Sequence, residues 1–187
     1  MTAEMEPRNL LDAAGVEQAL GRLADEIIAA GGTDDLVLVG IRRRGVELAE
    51  RLAALVAART GRPVDRGTLD ITLYRDDFAQ IGSRPRIGTT EIPGDITDRR
   101  VVIVDDVLYT GRTIRAALNE IADFGRPARI ELCVLVDRGG RELPIQADYV
   151  GASRDVPPGS HVEVRVPSED GELAVQVVSE AEAARSG

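Results

Sequence analysis

The sequence predicts an α/β fold in which an open parallel sheet is flanked by helices. Three apolar runs, 36–41, 100–105 and 129–137, are continuous, as expected of strands that are covered on both faces. Segments 46–60 and 113–125 lie between these runs and carry apolar residues at helical spacing, the second with Gly125 as its C-cap. Strands that alternate with helices in this order indicate one parallel sheet.

The remaining elements before residue 100 follow from the same signals. Residues 1–13 are expected to form a loose lead-in. Apolar positions from Val16 to Ile28 then make one helical stripe, which Gly31-Gly32 ends. Residues 64–75 predict a further strand around the sequence LDITLY.

The second half of the chain contains a less regular region. Beyond Asp137 the segments are short and broken by turn residues, and two further strands are expected at 162–166 and 173–178, joined by a turn at PSEDG. The length of 187 residues suits one domain. The predicted parts of this domain are a core at about 10–137, a C-terminal appendage at about 138–178 and a frayed tail at 179–187.

Composition limits the classes of function. The net charge of −9 repels nucleic-acid backbones, so RNA or DNA binding would need a local basic patch. Cys133 is the only cysteine and His161 the only histidine, which excludes an internal disulfide and a multi-histidine metal site. The sequence has neither a secretory leader pattern nor an apolar run near membrane-spanning length. It is therefore expected to be soluble and cytoplasmic, with no membrane partner.

The stretch VVIVDDVLYTGRT, residues 101–113, carries the strongest chemical signal. Asp105 and Asp106 stand where the strand should end, and the segment 110–113, Thr-Gly-Arg-Thr, stands where the next helix should begin. Paired carboxylates can accept hydrogen bonds from the hydroxyls of a ribose. Threonine hydroxyls and a helix N-terminus suit a phosphate. The stretch therefore predicts binding of a ribose that carries a phosphate on one side.

Other phosphate-binding motifs are absent from the sequence. It contains no G-x-x-x-x-G-K-[ST] motif, and no G-x-G-x-x-G motif follows the first apolar run. Instead, RRRG at 42–45 places cations at the carboxyl end of that run, beside the predicted site. Arginine binds phosphate oxygens through two parallel hydrogen bonds, so this segment is a second candidate for anion binding.

Three segments together resemble the PyrR family of the type I phosphoribosyltransferases, whose members are pyrimidine-operon attenuators and uracil phosphoribosyltransferases. They are DITLYRDD at 70–77, DDVLYTGRT at 105–113 and VLVDRGGRELPIQADYVG at 134–151. The resemblance implies a type I phosphoribosyltransferase fold, with a hood at 138–178 and a flexible catalytic loop at 74–92. It also implies that uracil and 5-phosphoribosyl-1-pyrophosphate (PRPP) react to UMP and pyrophosphate. Mg²⁺ would be held mainly by PRPP and not by a dedicated set of side chains.

The resemblance also implies the roles of individual residues. Arg44, Asp105 and Asp106 would be catalytic, with the two carboxylates on the ribose hydroxyls and with Arg43 and Arg44 in a pyrophosphate loop. The other implied substrate contacts are Val107, Leu108, Tyr109, Thr110, Gly111, Arg112 and Thr113 around the ribose 5-phosphate, Arg138 towards the nucleotide, and Val162 towards the base through its backbone.

A regulatory role is implied as well. Relatives form dimers and bind a pyrimidine-operon mRNA leader in response to UMP, so the chain is expected to be a homodimer or homotetramer. The RNA face would use Arg22, Arg141 and Arg154. Several basic positions of this face are lost, because Gln146 and Ala152 stand where relatives often carry Arg and Lys. Each lost cation removes a phosphate contact.

Three functions therefore stay open at the level of sequence. The chain is expected to be an enzyme, with or without regulation through RNA. The alternatives are an attenuator with little catalysis and a phosphoribosyltransferase of another base specificity. Tyr109 argues against a purine enzyme, because hypoxanthine-guanine members carry Asp at this position to assist at purine N7, and a tyrosine with a pKa near ~10 is a poor base at neutral pH.

Overall fold

The protein, described over residues 8–72 and 89–179 of a computed structural model, contains two sheets and four helices within these ranges. The elements in chain order are β1 (Arg8–Leu11), α1 (Ala13–Gly31), β2 (Leu36–Ile41), α2 (Arg44–Thr60), β3 (Asp65–Leu69), β4 (Arg100–Leu108), α3 (Arg112–Ile121), β5 (Arg129–Asp137), β6 (Tyr149–Ser153), β7 (Ser160–Arg165), α4 (Pro167–Asp170) and β8 (Ala174–Ser179). Residues 74–88 of the predicted catalytic loop and 180–187 of the predicted tail lie outside the described residues.

The central sheet is parallel and has the strand order β3-β2-β4-β5-β6. This order confirms the predicted α/β fold. The chain adds β3 on one side of β2 and then β4, β5 and β6 on the other side, so the order of strand addition reverses between β2 and β4. These two strands are paired with Gly40 opposite Val104. In open sheets of this kind, ligands bind beyond the carboxyl ends of the strands at the reversal. Asp105 and Asp106 lie at this end of β4.

The two faces of the sheet carry separate apolar cores. Val102 and Val104 pack into the core that α1 and α2 cover, and Val101 and Ile103 pack into the core that α3 covers. Alternate residues of β4 thus point to opposite faces, and all four are buried. The continuous apolar runs arise because both faces are covered.

Two glycines bring the first turn of α2 against the sheet backbone. A Cβ atom added to Gly40 would lie 2.5 Å from the carbonyl oxygen of Gly45, and one added to Gly45 would lie 2.6 Å from the carbonyl oxygen of Val104. No side chain fits at either position without a backbone shift. The contact places the residues just before Gly45 beside the end of β4.

A polar network joins three strands near their amino ends, at the end of the sheet opposite Asp105 and Asp106. Arg100 donates through Nε to Glu131 (2.5 Å) and through one terminal nitrogen to the Tyr149 hydroxyl (2.8 Å), which in turn donates to Glu131 (2.7 Å). Burial pushes the pKa of Glu131 up, but the hydrogen bonds from Arg100 and Tyr149 outweigh it and leave this pKa lowered. A buried carboxylate paired in this way joins β4, β5 and β6.

Two strands, β1 and β6, correct the predictions. The strands β7 and β8 of the predicted hood form a second sheet together with β1. It is antiparallel with the order β1-β8-β7, so part of the expected lead-in at 1–13 is a strand, with Arg8 opposite Val177. The segment after Asp137 contains β6, which was not predicted and which joins the central sheet. Both strands are short and pair with residues distant in the sequence, so no local pattern marks them.

Several element ends also differ from the predictions. The helix predicted at 113–125 ends at Ile121, because 122–124 form a turn, and Gly125 is therefore not its C-cap. The strand predicted at 64–75 ends at Leu69, since the carboxylate of Asp70 accepts hydrogen bonds from both the N–H and the hydroxyl of Thr72. The predicted turn PSEDG contains the short helix α4.

The prediction at 100–105 was too short, because β4 runs on to Leu108 and keeps Asp105 and Asp106 within the strand. The C-terminal end of α1 and the bounds of β5 match the predictions at Gly31-Gly32 and 129–137, whereas α1 begins at Ala13, before the predicted stripe from Val16. None of the helices in the described ranges has the length and apolarity needed to cross a membrane.

The glycine contact predicts opposite effects of the same substitution in two helices. Gly45→Ala should lower the free energy of unfolding by about 1–3 kcal/mol, because its methyl group would meet the Val104 carbonyl oxygen at 2.6 Å. Gly21→Ala in α1 is the control: its methyl group would meet only the Arg59 guanidinium at 3.4 Å, so the gain in helix propensity should leave stability equal or higher by up to ~1 kcal/mol. Denaturant titration of both variants measures the difference. Equal stabilities would contradict the close contact.

Candidate active site

A cavity of about 880 Å³ opens at the carboxyl ends of β2 and β4. Its walls come from the segment after β2, the first turns of α2, the end of β4, the start of α3 and the short helix α4. The predicted site residues that line it are Arg43, Arg44, Asp105, Asp106, Val107 and Thr113. Residues far apart in the sequence are thus brought into one site.

The acidic pair lies at the inner wall. Asp105 is buried and Asp106 is half-buried. Each carboxylate accepts a hydrogen bond from the next backbone N–H, from Asp106 (2.9 Å) and from Val107 (2.8 Å) respectively. Burial, and secondly the negative charge of Asp106, raise the pKa of Asp105 well above its ordinary value. These hydrogen bonds fix the two side chains while leaving acceptor capacity for a ligand hydroxyl.

The three arginines after β2 have different environments. Arg42 donates through Nε and a terminal nitrogen to the carbonyl oxygen of Thr89 (3.2 and 2.9 Å), and its peptide bond to Arg43 is cis. The side chain of Arg43 is 69% exposed. Arg44 forms two parallel hydrogen bonds with Asp170 of α4, which raise its pKa. The charge of Asp106 also raises the Arg44 pKa, so the guanidinium lies within electrostatic reach of the acidic pair.

The predicted phosphate loop leads into α3. Gly111 has a φ of 94°, and a Cβ atom there would approach Ile145 at 3.3 Å, so this turn requires glycine. The first backbone bond of the helix runs from Arg115 N–H to the Gly111 carbonyl, whereas the Arg112 N–H donates to the Thr110 hydroxyl at 3.3 Å. The guanidinium of Arg112 binds Glu142 at 2.8 Å. A phosphate at this turn would therefore have to be bound by backbone N–H groups and threonine hydroxyls.

Four further predicted contacts are constrained by packing. Leu108 and Val162 are buried in the apolar cores, so only their backbone groups can reach a ligand. Tyr109 is 47% exposed, and Arg138 stacks on its ring at 3.9 Å from the centroid. A Cβ atom on Gly140 would lie 2.4 Å from this ring. The glycine at 140 thus provides the space in which Tyr109 and Arg138 stack.

The three arginines predicted for RNA binding lie in different environments. Arg22 donates to the carbonyl oxygen of Gly151 (2.6 Å). Arg141 donates to Asp137 (2.5 Å) and to the carbonyl oxygens of Tyr109 and Ile145 (both 2.9 Å). Arg154 is exposed. Arg22 and Arg141 therefore hold the fold together, and an RNA contact would compete with these bonds.

The cavity also contains residues that the sequence analysis did not assign. They are Glu47, Glu50, Asp70, Thr72, Ser168 and Glu169. Asp70 and Thr72 lie in the quoted segment DITLYRDD, but nothing local marks the others, since α2 and α4 meet only through folding. Among the described residues, the lining carries six carboxylates and three guanidinium groups, so it has an excess of negative charge. No group of three or more metal-ligating side chains occurs in the described ranges.

Comparison with known proteins gives consistent results. A family model for the phosphoribosyl transferase domain matches residues 8–169. The chain is 52% identical to the bifunctional protein PyrR of Pelotomaculum thermopropionicum, over 95% of this chain and 98% of the relative. It is 54% identical to that of Chloroflexus aurantiacus, over 88% and 91%. A solved structure of hypoxanthine phosphoribosyl transferase from Trypanosoma cruzi superposes with a TM-score of 0.72 at 22% identity, over 100% and 98% of the two chains, and shares the fold.

The buried acid predicts that Asp105→Asn stabilises the protein near neutral pH. The pKa of the Asp105 carboxyl is raised in the folded state, so the free energy of unfolding falls as the pH rises through the folded pKa. The neutral amide of Asn removes this penalty and still accepts the hydrogen bond from Asp106 N–H. The midpoint of thermal unfolding should rise by roughly 2–4 °C, or about 1 kcal/mol, and this gain should vanish towards about pH 4. Calorimetry across this range measures it.

Asp35→Asn, at an exposed position, is the matched control and should change the midpoint little at any pH. An Asp105→Asn midpoint at neutral pH equal to or below that of the wild type would show that the Asp105 carboxylate carries no burial penalty.

Proposed function

Because the chain belongs to the phosphoribosyl transferase family and, within it, to the family of bifunctional PyrR proteins, we propose that it transfers the phosphoribosyl group of PRPP to uracil. The products are UMP and pyrophosphate. The observation that carries this proposal is one cavity lined by Asp105 and Asp106, by the arginines of the segment after β2, and by Thr113 at the N-terminus of α3. These three parts match a ribose, a pyrophosphate and a 5-phosphate, in that order.

The proposed reaction is a substitution at C1 of the ribose. Uracil N1 forms the new bond and loses its proton, while the bond from C1 to the pyrophosphate oxygen breaks and the electron pair leaves with pyrophosphate. The ribose acquires oxocarbenium character, and Asp105 and Asp106 hold its 2- and 3-hydroxyls. Arg43 and Arg44 stabilise the negative charge that develops on pyrophosphate. Such electrostatic stabilisation is expected to be the largest single contribution to lowering the activation barrier.

Mg²⁺ fits the charges of this cavity. The acidic excess of the lining would repel a polyanion such as PRPP, and a divalent cation on the PRPP oxygens offsets this repulsion. Asp105 and Asp106 offer the carboxylate oxygens that Mg²⁺ prefers. When bound, the ion supplies positive charge to the departing pyrophosphate. The side chains orient the ribose and exclude water.

A pyrimidine is the base that the site favours. Tyr109 occupies the position from which an acidic side chain would assist at the N7 of a purine, and its ring is stacked under Arg138. Val162 of β7 would contact the edge of the base through its backbone only, since its side chain is buried in the core. Both features support uracil over hypoxanthine or guanine.

A second function, regulation through RNA, is supported by the relatives, which are named bifunctional. We propose that a homodimer or homotetramer binds the leader of a pyrimidine-operon mRNA when UMP is present, and that the protein acts in the cytoplasm. Arg154 is the candidate contact that is exposed, whereas Arg22 and Arg141 are bound within the fold. The RNA contact is therefore expected to be weak.

The enzymatic proposal is tested by product formation from PRPP and Mg²⁺ with uracil, hypoxanthine, guanine or orotate. UMP should form at a kcat/KM at least ~100-fold above that of each other base, because a site that hydrogen-bonds one base rejects others strongly. The double variant Asp105→Asn, Asp106→Asn is the control and should lose ~100-fold or more in kcat/KM while remaining folded. Preferred use of another base would replace the proposed specificity, and near-normal activity of the double variant would refute the role of the acidic pair.

The regulatory proposal is tested by titration of a leader hairpin with and without UMP at two salt concentrations. Binding should require UMP, and it should weaken when salt rises from about 50 to 200 mM, because each phosphate contact releases counterions; with few such contacts the affinity should be low at both salt concentrations. Arg154→Ala should reduce the salt slope by about 1, whereas Arg62→Ala, an equally exposed arginine in the turn after α2, should not. An absence of specific binding at the lower salt would leave the chain as an enzyme alone.

A further inference from the structure

The hood and the pyrophosphate loop are joined by a contact between α4 and the first turns of α2. Three consecutive residues of the hood take part in it, Ser168, Glu169 and Asp170, and each meets a different residue of the segment that begins α2. Their partners are Glu47, Arg43 and Arg44 respectively. Two of these partners are the arginines to which pyrophosphate binding was assigned above.

The strongest of the three contacts is the pair of Arg44 and Asp170. Nε and one terminal nitrogen of Arg44 donate to the two carboxylate oxygens of Asp170, at 3.1 and 2.9 Å. The pair is well shielded, since the Asp170 side chain is 16% exposed. Its carboxylate is itself held by the N–H of Val166 at 2.9 Å. Asp170 is thus a fixed acceptor whose hydrogen bonds determine the orientation of the Arg44 guanidinium.

This arrangement leaves Arg44 able to bind an anion. A guanidinium carries five N–H donors in one plane, and Asp170 uses two of them. The remaining three lie on the two terminal nitrogens and belong to a residue that lines the cavity. An arginine that is already oriented loses less side-chain entropy when it binds a phosphate group.

The hood does not depend on Asp170 for its attachment. The N–H and the hydroxyl of Ser168 both donate to the same oxygen of Glu47, at 3.0 and 2.5 Å, and the other oxygen of Glu47 accepts two hydrogen bonds from Arg51. By contrast, Arg43 and Glu169 are exposed and 3.6 Å apart, which makes theirs a weak surface pair. A neutral residue at 170 should therefore release Arg44 and leave α4 in place.

We propose that Asp170 is a positioning residue for pyrophosphate: it holds Arg44 in the orientation that binds the pyrophosphate group of PRPP and of the product. This inference rests on the proposed function of the site. The change in pyrophosphate affinity that it predicts for loss of Asp170 is opposite in sign to that of a purely electrostatic effect. Removal of a negative charge beside a polyanion site would by itself strengthen anion binding, whereas loss of the positioning bond weakens it.

The test is Asp170→Asn, with inorganic pyrophosphate, PRPP and UMP as separate probes in the presence of Mg²⁺. The dissociation constant of pyrophosphate and the KM of PRPP should rise about tenfold, which corresponds to about 1.4 kcal/mol. The dissociation constant of UMP should change less than about twofold, because UMP carries no pyrophosphate and its affinity reports whether the hood is intact. Calorimetric titration provides the two dissociation constants, and steady-state kinetics provides the KM.

The matched control is Glu172→Gln. It also removes one negative charge from the hood and breaks an arginine pair, with Arg165 at 2.6 Å, but it has no contact with Arg44. Its pyrophosphate affinity should equal that of the wild type. Arg44→Lys should weaken pyrophosphate binding at least as much as Asp170→Asn. The two changes combined should cost little more than Arg44→Lys alone, since a lysine cannot form the two parallel bonds.

Unchanged or tighter pyrophosphate binding by Asp170→Asn would overturn the inference, as would an equal loss of UMP affinity, which would show that Asp170 only supports the hood. Additive effects of the two substitutions would overturn it as well. If the wild type binds pyrophosphate but forms no UMP, the proposed uracil reaction fails while the pyrophosphate titrations still decide the role of Asp170. A wild type that does not bind pyrophosphate would refute both.

Discussion

The close contact between the first turn of α2 and the backbone of β2 and β4 is the constraint on which the site depends. Gly40 and Gly45 leave no room for a side chain at this point, with 2.5 and 2.6 Å to the nearest backbone oxygens. The contact brings Arg43 and Arg44 beside the carboxyl end of β4. The arginines proposed for pyrophosphate and the carboxylates proposed for ribose can therefore share one cavity only because two positions lack a Cβ atom.

This geometry creates an electrostatic problem that the hood solves. Arginines at the N-terminus of a helix are disfavoured, since the partial charge of the helix has the same sign there. Asp170 and Glu169 approach from α4, and Glu47 lies in the first turn of α2 itself, so the local charge is compensated. Compensation from a separate element also gives the hood a direct contact with the segment that begins α2.

The acidic pair of the site, Asp105 and Asp106, lowers the free energy of unfolding. Asp105 is buried next to another carboxylate, and its raised pKa is the physical sign of this cost. The rest of the sheet offsets it through two apolar cores and through the network of Arg100, Glu131 and Tyr149 at the opposite end. The favourable interactions in the rest of the sheet outweigh the cost of the buried acidic pair, so the pair persists in the folded state.

The sequence by itself determined the central part of this protein. Continuous apolar runs identified β2, β4 and β5, because covered strands carry a local pattern, and the stretch from Asp105 to Thr113 marked the end of β4 and the start of α3 as the candidate site. Only the tertiary structure decided that β1 and β6 exist, that Arg22 and Arg141 are bound within the fold, and that Asp170 holds Arg44. These features depend on partners up to 169 positions away, with Arg8 opposite Val177 as the extreme case. A pairing of that kind leaves no periodicity or spacing in either segment, since the energy that selects it arises only when the two surfaces meet.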